Sequence, residues 1–311
     1  MARVAARAGA GAVAGTGTAT GASGNRGALL GLVGVLAFSL SLPMTRVAVA
    51  EIDPALVAFG RMAVAGVVAA AWLLLRRAPL AAAADLRLAA ISSLGVVLGF
   101  PLLSTLALRS TAANHGAIIN GALPLATALW GAAINGERPS SRFWLAAAAG
   151  SLLVVSFALL RGGGSLAAGD LWMFAAVAAG SFGYATGARL AARIGGARAI
   201  LWALAVATPV TVPIALACAW SAPPHAGPAA WGAFAYVTLV SQLLGFFAWY
   251  AGLAAGGVAR ISQLQLLQVF FTITFAALWF GESVAASTWW FAAAVVGVIA
   301  WGRSAPRPAV R

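Results

Sequence analysis

The sequence predicts an all-α polytopic membrane protein, with ten transmembrane helices arranged as two inverted five-helix repeats. Three observations carry that prediction. Of 311 residues, 62% are apolar and 8% charged, with a mean hydropathy of +0.96, which leaves far too little polar surface to cover a soluble globule. The apolar residues come in runs of about 20 rather than in alternating ten-residue segments, and this selects helices over a β-barrel as the way to satisfy backbone groups in lipid. Gly136-Glu137 and Gly281-Glu282 each close a long apolar run and stand 145 positions apart. At that offset Thr127 falls on Thr272, Trp144 on Trp289 and Ala147 on Ala292, the mark of a duplicated unit.

Taken in order, residues 1–26 are an Ala, Gly and Thr-rich leader carrying Arg3, Arg7 and Arg26. It lacks the apolar core of a cleaved signal and reads as a disordered cytoplasmic tail or a mis-assigned start. The first repeat covers residues 27–161, with apolar runs at 28–49, 55–75, 88–108, 112–134 and 143–160. In its first run Pro43 frees a backbone carbonyl between Ser39 and Thr45, which either binds solute or kinks the helix. The second run holds Arg61, about six residues from its end; the third holds Pro101, and the fourth His115, Asn120, Pro124 and Thr127. Residues 162–169, opening on three glycines, read as a flexible linker. The second repeat covers 170–303, with runs at 171–190, 199–220, 230–251, 258–280 and 285–301. Tyr184 lies in the sixth run, Pro209 and Pro213 in the seventh, and Gln242, Trp249 and Tyr250 in the eighth. The ninth is richest in polar groups, with Gln263, Gln265, Gln268, Thr272 and Thr274. Residues 304–311 form a cytoplasmic tail.

Orientation follows from arginine, since positively charged loops stay in the cytoplasm. With the amino terminus inside, fifteen arginines fall in cytoplasmic segments, and only Arg46, Arg109 and Arg161 fall outside. Both termini are then cytoplasmic and the number of spans is even. Five spans per repeat is odd, so the second copy enters from the opposite face and the repeats are inverted. The expected location is a bacterial cytoplasmic (inner) membrane.

The stretch 107–113 (Ala-Leu-Arg-Ser-Thr-Ala-Ala), Pro124 and Gly136-Glu137-Arg138, with Tyr250-Ala251-Gly252-Leu253 and Gly281-Glu282 in the second half, resembles the EamA-type members of the drug/metabolite transporter superfamily. Arg61-Met62 and Phe38-Ser39 are similar to that pattern too. The likeness runs over about residues 28–302. It implies five-plus-five inverted repeats, a monomer-scale transport unit, and export or exchange of small metabolites such as amino acids and related compounds.

Polar side chains inside apolar spans are the candidates for a solute cavity. At 100° per residue Gln265, Gln268 and Thr272 form one stripe on the ninth helix. Their repeat mates Asn120 and Thr127 form a weaker one on the fourth. Interhelical hydrogen bonding is the structural alternative for these amides, and bonding within their own helix is the alternative for the threonines. Ser39, Tyr184, Trp249 and Tyr250 supply further wall, although aromatics near span ends also serve as interface anchors. Arg61 either snorkels or pairs with Glu51 or Asp53 across the outer loop, or else acts as a carboxylate clamp or gate. His115 is a candidate for proton coupling. All six acids lie at span ends or in loops, which leaves no midplane carboxylate. Glu137 and Glu282 read as structural caps on the helices that follow them.

These features fit a secondary transporter whose partners are a small-molecule substrate and the bilayer. Coupling to protons or to a counter-substrate is open, and so is the choice between monomer and weak homodimer. An integral membrane enzyme acting on lipid-like substrates would need converging nucleophiles, bases or ligands, whereas the chain has one cysteine, Cys218, and two histidines, His115 and His225. A receptor or assembly subunit would be expected to carry a sizeable extramembrane domain. The chain has no lysine and hence no ATP-binding loop of the G-x-x-x-x-G-K type. Its scattered loop arginines do not form a nucleic-acid face. No metal site or cofactor is expected.

Overall fold

The computed structural model describes residues 16–135, 140–161, 166–256, 261–281 and 283–303, and every regular element among them is helical. The first half contains α1 (Thr16–Ser39), α2 (Ser41–Ala48), α3 (Pro54–Leu75), α4 (Ala83–Ser93), a π-helical segment (Leu94–Gly99), α5 (Phe100–Leu108), α6 (Ala113–Asn120), α7 (Leu123–Asn135) and α8 (Ser141–Arg161). The second half contains α9 (Ala168–Ile194), α10 (Gly196–Ser221), α11 (Pro228–Ala235), a second π-helical segment (Tyr236–Leu244), α12 (Gly245–Gly256), a 3-10 turn (Ser262–Leu264), α13 (Gln265–Phe280) and α14 (Ala286–Arg303). Helix α1 begins at Thr16, inside the stretch read from composition as a disordered tail. That stretch contains no proline to stop a helix growing back from the apolar run.

Among the described residues, six stretches are long and apolar enough to cross a bilayer: Asn25–Ala48, Pro54–Leu75, Ala83–Leu108, His115–Ile134, Gly196–Ser221 and Pro228–Gly256. The sixth run is diluted by the small and polar residues of its buried face, Gly180, Ser181, Gly183, Tyr184 and Thr186. The outer surface of the bundle is apolar: Leu75 is 83% and Leu278 76% exposed, and Trp220, Trp279 and Trp290 stand exposed near helix ends. Surface of that kind matches hydrocarbon and an aromatic belt rather than water. The chain is an integral membrane protein.

Local chemistry fixes the ends of the elements. Asp53 accepts the N–H groups of Ala55 and Leu56, with Pro54 as the first residue of α3, an N-cap followed by a residue that has no N–H to satisfy. Arg46 Nη1 donates to the Leu108 and Thr111 carbonyls at the end of α5, where a cation complements the helix dipole. Gly281 ends α13 in the left-handed region at φ 61°, its N–H bonded to the Ala276 carbonyl. This explains the glycine of the second Gly-Glu pair. Gly136, Glu137 and Glu282 lie outside the described residues, so the capping role expected of the two glutamates falls there as well.

The first apolar run is broken at Leu40, between α1 and α2. Pro43 has no N–H to give to Ser39, four residues back. Three successive carbonyls at the break are taken by side chains from the second half: Tyr236 donates to Ala37 at 2.9 Å, Gln268 to Phe38 at 3.4 Å and Thr272 to Ser39 at 2.7 Å. Elsewhere α1 packs on α12, α3 on α10, α6 on α13, α8 on α14, and α9 on α4, the first π segment and α5. Each of these contacts joins one half of the chain to the other.

Candidate functional site

A narrow cavity lies between the halves. From the first half it is lined by Phe38, Ser41 and Leu42 at the helix break, Arg61 of α3, Val96 of the first π segment, Phe100 of α5, and Asn120 with Leu123. From the second half come Gly180 and Tyr184 of α9, Ser241 and Gln242 of the second π segment, Phe246 of α12, and Gln268 of α13. Irregular backbone gathers around it, since the α1–α2 break and both π segments contribute wall. Interruptions of this type occur at membrane depth where they line a cavity or are buried in protein.

Arg61 sits on the eighth residue of α3, about 10 Å of helix rise from its start. It is 3% exposed and reaches into the cavity instead of snorkelling. The expected partners across the loop are engaged elsewhere: Glu51 accepts the Gly227 N–H at 2.7 Å and Asp53 caps its own helix. Arg61 Nη2 donates to Ser241 Oγ at 3.4 Å, and Ser241 shares a 2.6 Å hydrogen bond with Ser41. Its Nε has no hydrogen-bond partner. Gln242 Nε2 donates to the Val96 carbonyl at 3.0 Å, tying one π segment to the other. Among the described residues, Asn120 Oδ1 and Gln268 Oε1 are buried acceptors with no donor.

Of the side chains expected in the cavity, Asn120, Tyr184 and Gln268 line it, together with Arg61, the expected clamp or gate, and the others lie outside its lining. Ser39 donates to Val35 and Thr127 to Leu123, each within its own helix. Thr272 bonds the Ser39 carbonyl, so the carbonyl freed by Pro43 is held by protein rather than left for solute. Tyr250 is fully buried and donates to the Gly183 carbonyl at 3.2 Å beside Ser92. Trp249 is equally buried, behind Phe38 and Tyr184 at ring separations of 6.1 and 5.6 Å. Neither is an interface anchor. Gln265 is buried beside Tyr184, with both ends of its amide lacking a hydrogen-bond partner of good geometry. Sequence reasoning did not select Ser41, Ser241 or Gln242 for the cavity. Gln242 was visible as the lone amide of the eighth run, while the serines carry no signal that separates them from other small helix residues.

His115 Nε2 lies 2.7 Å from Asp170 Oδ1, and Asp170 Oδ2 accepts the Ala167 N–H at 3.0 Å. Asp170 is 2% exposed. Both helix-end acids Asp170 and Asp85 are buried, the second paired with Arg193, and they sit at span ends as the sequence placed them. The histidine expected to couple protons joins α6 of the first half to α9 of the second. Asp170→Ala removes both bonds and is expected to lower stability by about 2–3 kcal/mol. The check is a reduced thermal midpoint in detergent, with a smaller drop for His115→Ala; an unchanged midpoint in Asp170→Ala contradicts this role.

A model described as the EamA-like transporter family matches residues 25–159 and again residues 167–301. The chain belongs to the EamA-like transporter family. It is 46% identical over 257 residues, 82% of this chain and 88% of the relative, to the "Uncharacterized transporter YdeK" of Bacillus subtilis (strain 168). A solved structure titled "Crystal structure of protein" superposes with a TM-score of 0.63 at 18% identity, covering 89% of this chain and 98% of that one, a likeness of fold. Two EamA units in one membrane chain, with a transporter as relative, establish a transporter role and the resemblance read from the Gly-Glu pairs.

Proposed function

We propose that this EamA protein is a secondary transporter that exports or exchanges small metabolites, such as amino acids or related compounds, by alternating access around the central cavity. The observation that carries the reading is the cavity's position between the halves. Its polar groups come from both: Arg61 and Asn120 from the first, Gln242 and Gln268 from the second. Rocking one half against the other would alter the access to such a site without dismantling either half.

The packing pattern supports ten spans in two inverted repeats. Exchanging the halves maps the contact of α1 with α12 onto that of α9 with α4, the first π segment and α5. The same exchange maps the α3–α10, α6–α13 and α8–α14 contacts onto themselves, as a two-fold axis requires. Five spans per repeat then bring the second unit in from the opposite face, and the arginine distribution favours both termini in the cytoplasm of a bacterial inner membrane. Coupling to protons or a counter-substrate is compatible with this architecture, as are a monomer and a weak homodimer.

The test is flux of an unbiased metabolite panel in proteoliposomes, with and without imposed gradients. Solute moved by the protein above protein-free vesicles is expected, and no flux of any panel member under either condition would sink the reading. Gln268→Ala is expected to reduce that flux by about tenfold while shifting the thermal midpoint by no more than a few degrees. A long 3.4 Å bond to Phe38 is all it gives up on the protein side. Equal losses of fold and flux would remove Gln268 from the site.

A further inference from the structure

The cavity has one cation and, among the described residues, no anion to meet it. Arg61 is buried in the middle of a membrane bundle, a placement that is costly unless the charge faces a partner or a wet cavity. Among the described residues its Nε is unbonded and its one hydrogen bond is a long one to a serine. No described carboxylate comes within 4 Å. Asp85 and Asp170 are committed to Arg193 and His115, and Glu51 and Asp53 to backbone N–H groups. A guanidinium presenting free donors in a low-dielectric pocket is the planar fork that a carboxylate fits.

We infer that the transported solute carries a single carboxylate, that Arg61 binds it, and that the solute's apolar remainder lies against Phe38, Phe100, Phe246 and Tyr184. The inference rests on the transporter reading and names the substrate class of the same site. One fixed positive charge neutralises a monoanion, whereas a phosphate ester, carrying about −1.5 to −2 at neutral pH, would leave excess negative charge in the membrane interior. Asn120 Oδ1 and Gln268 Oε1, both buried without donors, accept from a hydroxyl or amine close to the carboxylate. A pocket that leaves those acceptors unfilled discriminates against a solute lacking such a donor. The four aromatic rings give the remainder area without charge.

The experiment compares 3-phenyllactate and phenylalanine with their primary amides and with phenyl phosphate, using the full-length protein. Binding is read as a concentration-dependent rise in thermal midpoint in detergent, and transport as flux in proteoliposomes. The carboxylates are expected to bind at least about tenfold more tightly than the amides and the phosphate, because only they make charge-assisted pairs of matching charge. Arg61→Gln is expected to abolish that preference, and Arg61→Lys, which keeps the charge but loses the fork, to retain part of it. The intact protein's carboxylate-to-amide ratio needs no variant, so a variant that fails to fold leaves the test standing. No midpoint shift with either carboxylate, equal affinity for acid and amide, a preference for the phosphate, or undiminished carboxylate binding in a folded Arg61→Gln would overturn the assignment. The two readings separate cleanly. Flux of uncharged panel members without carboxylate binding sinks the carboxylate and keeps the transporter, while carboxylate binding with no flux of anything does the reverse.

Discussion

Gly183→Val is expected to reduce the yield of folded, monodisperse protein by more than about tenfold, through a destabilisation above about 3 kcal/mol. Gly183 lies where α9 crosses the first π segment. A Cβ built on it would stand 2.6 Å from the Val96 backbone nitrogen, and the reciprocal Cβ on Gly95 would stand 2.6 Å from the Gly183 Cα. Backbone faces backbone on both sides, so no flexible side chain can move aside, and relief requires the two helices to separate. Separation would pull the Gly183 carbonyl away from the Ser92 and Tyr250 hydroxyls that donate to it at 3.1 and 3.2 Å, orphaning buried polar groups in a medium that offers no water. In a membrane bundle close packing of this kind is itself the driving force for association. Gly297→Ala is the matched control: a Cβ there meets nothing within 4 Å, and the change is expected to be neutral or to stabilise α14 by up to about 1 kcal/mol. The measurement is size-exclusion profile and thermal midpoint of both variants. A monodisperse Gly183→Val with a normal midpoint would show that the crossing yields more easily than its geometry implies.

The parts of this architecture that were legible in the sequence are those that composition and repetition encode. The helical membrane class follows from hydropathy alone, and the Gly-Glu register placed Gln265 opposite Asn120, of which Asn120 lines the cavity while Gln265 lies buried beside Tyr184. Arg61 stood out for the plainest reason, because an arginine inside an apolar run needs an explanation. What stayed hidden depends on which partner a side chain finds. Ser39, Thr127 and Thr272 have the same composition signal as cavity residues, yet each spends its hydroxyl on a backbone carbonyl, and nothing local distinguishes the two outcomes. Trp249 and Tyr250 read as cavity wall or, from their place near a run's end, as interface anchors, although the tight α1–α12 and α9 packing swallows them whole. The π segments are the deepest omission. Segment 236–244 carries no proline, and 94–99 is marked only by Pro101 two residues on, whose missing N–H leaves the Val97 carbonyl without its regular donor; the altered winding itself becomes visible only as packed backbone.

Gln242→Leu is expected to cut transport about fivefold while leaving the fold intact. The two π segments start at Leu94 and Tyr236, 142 positions apart, within one helical turn of the 145-residue offset between the Gly-Glu pairs. Equivalent points in the two repeats are thus wound in the same irregular way, and both form cavity wall. A π turn weakens the regular i→i−4 ladder and leaves carbonyls seeking other donors. Val96 finds one in Gln242, whose Nε2 lies 3.0 Å from its oxygen across the repeat boundary. Leucine keeps the bulk and removes the donor, so packing persists while the link between the two flexible points is lost. A buried hydrogen bond of this type is worth about 1 kcal/mol. About 1.4 kcal/mol of bias between two access states changes their ratio tenfold. Gln242→Asn, which is polar but too short to reach Val96, is expected to behave like leucine, and this separates the bond itself from general polarity of the wall. Proteoliposome flux and thermal midpoint are measured together. A drop in flux with the midpoint held within a few degrees fits a bond that balances access states. Full flux in both variants would mean that Val96 recruits water or another donor and that the bridge between the π segments has no part in the transport cycle.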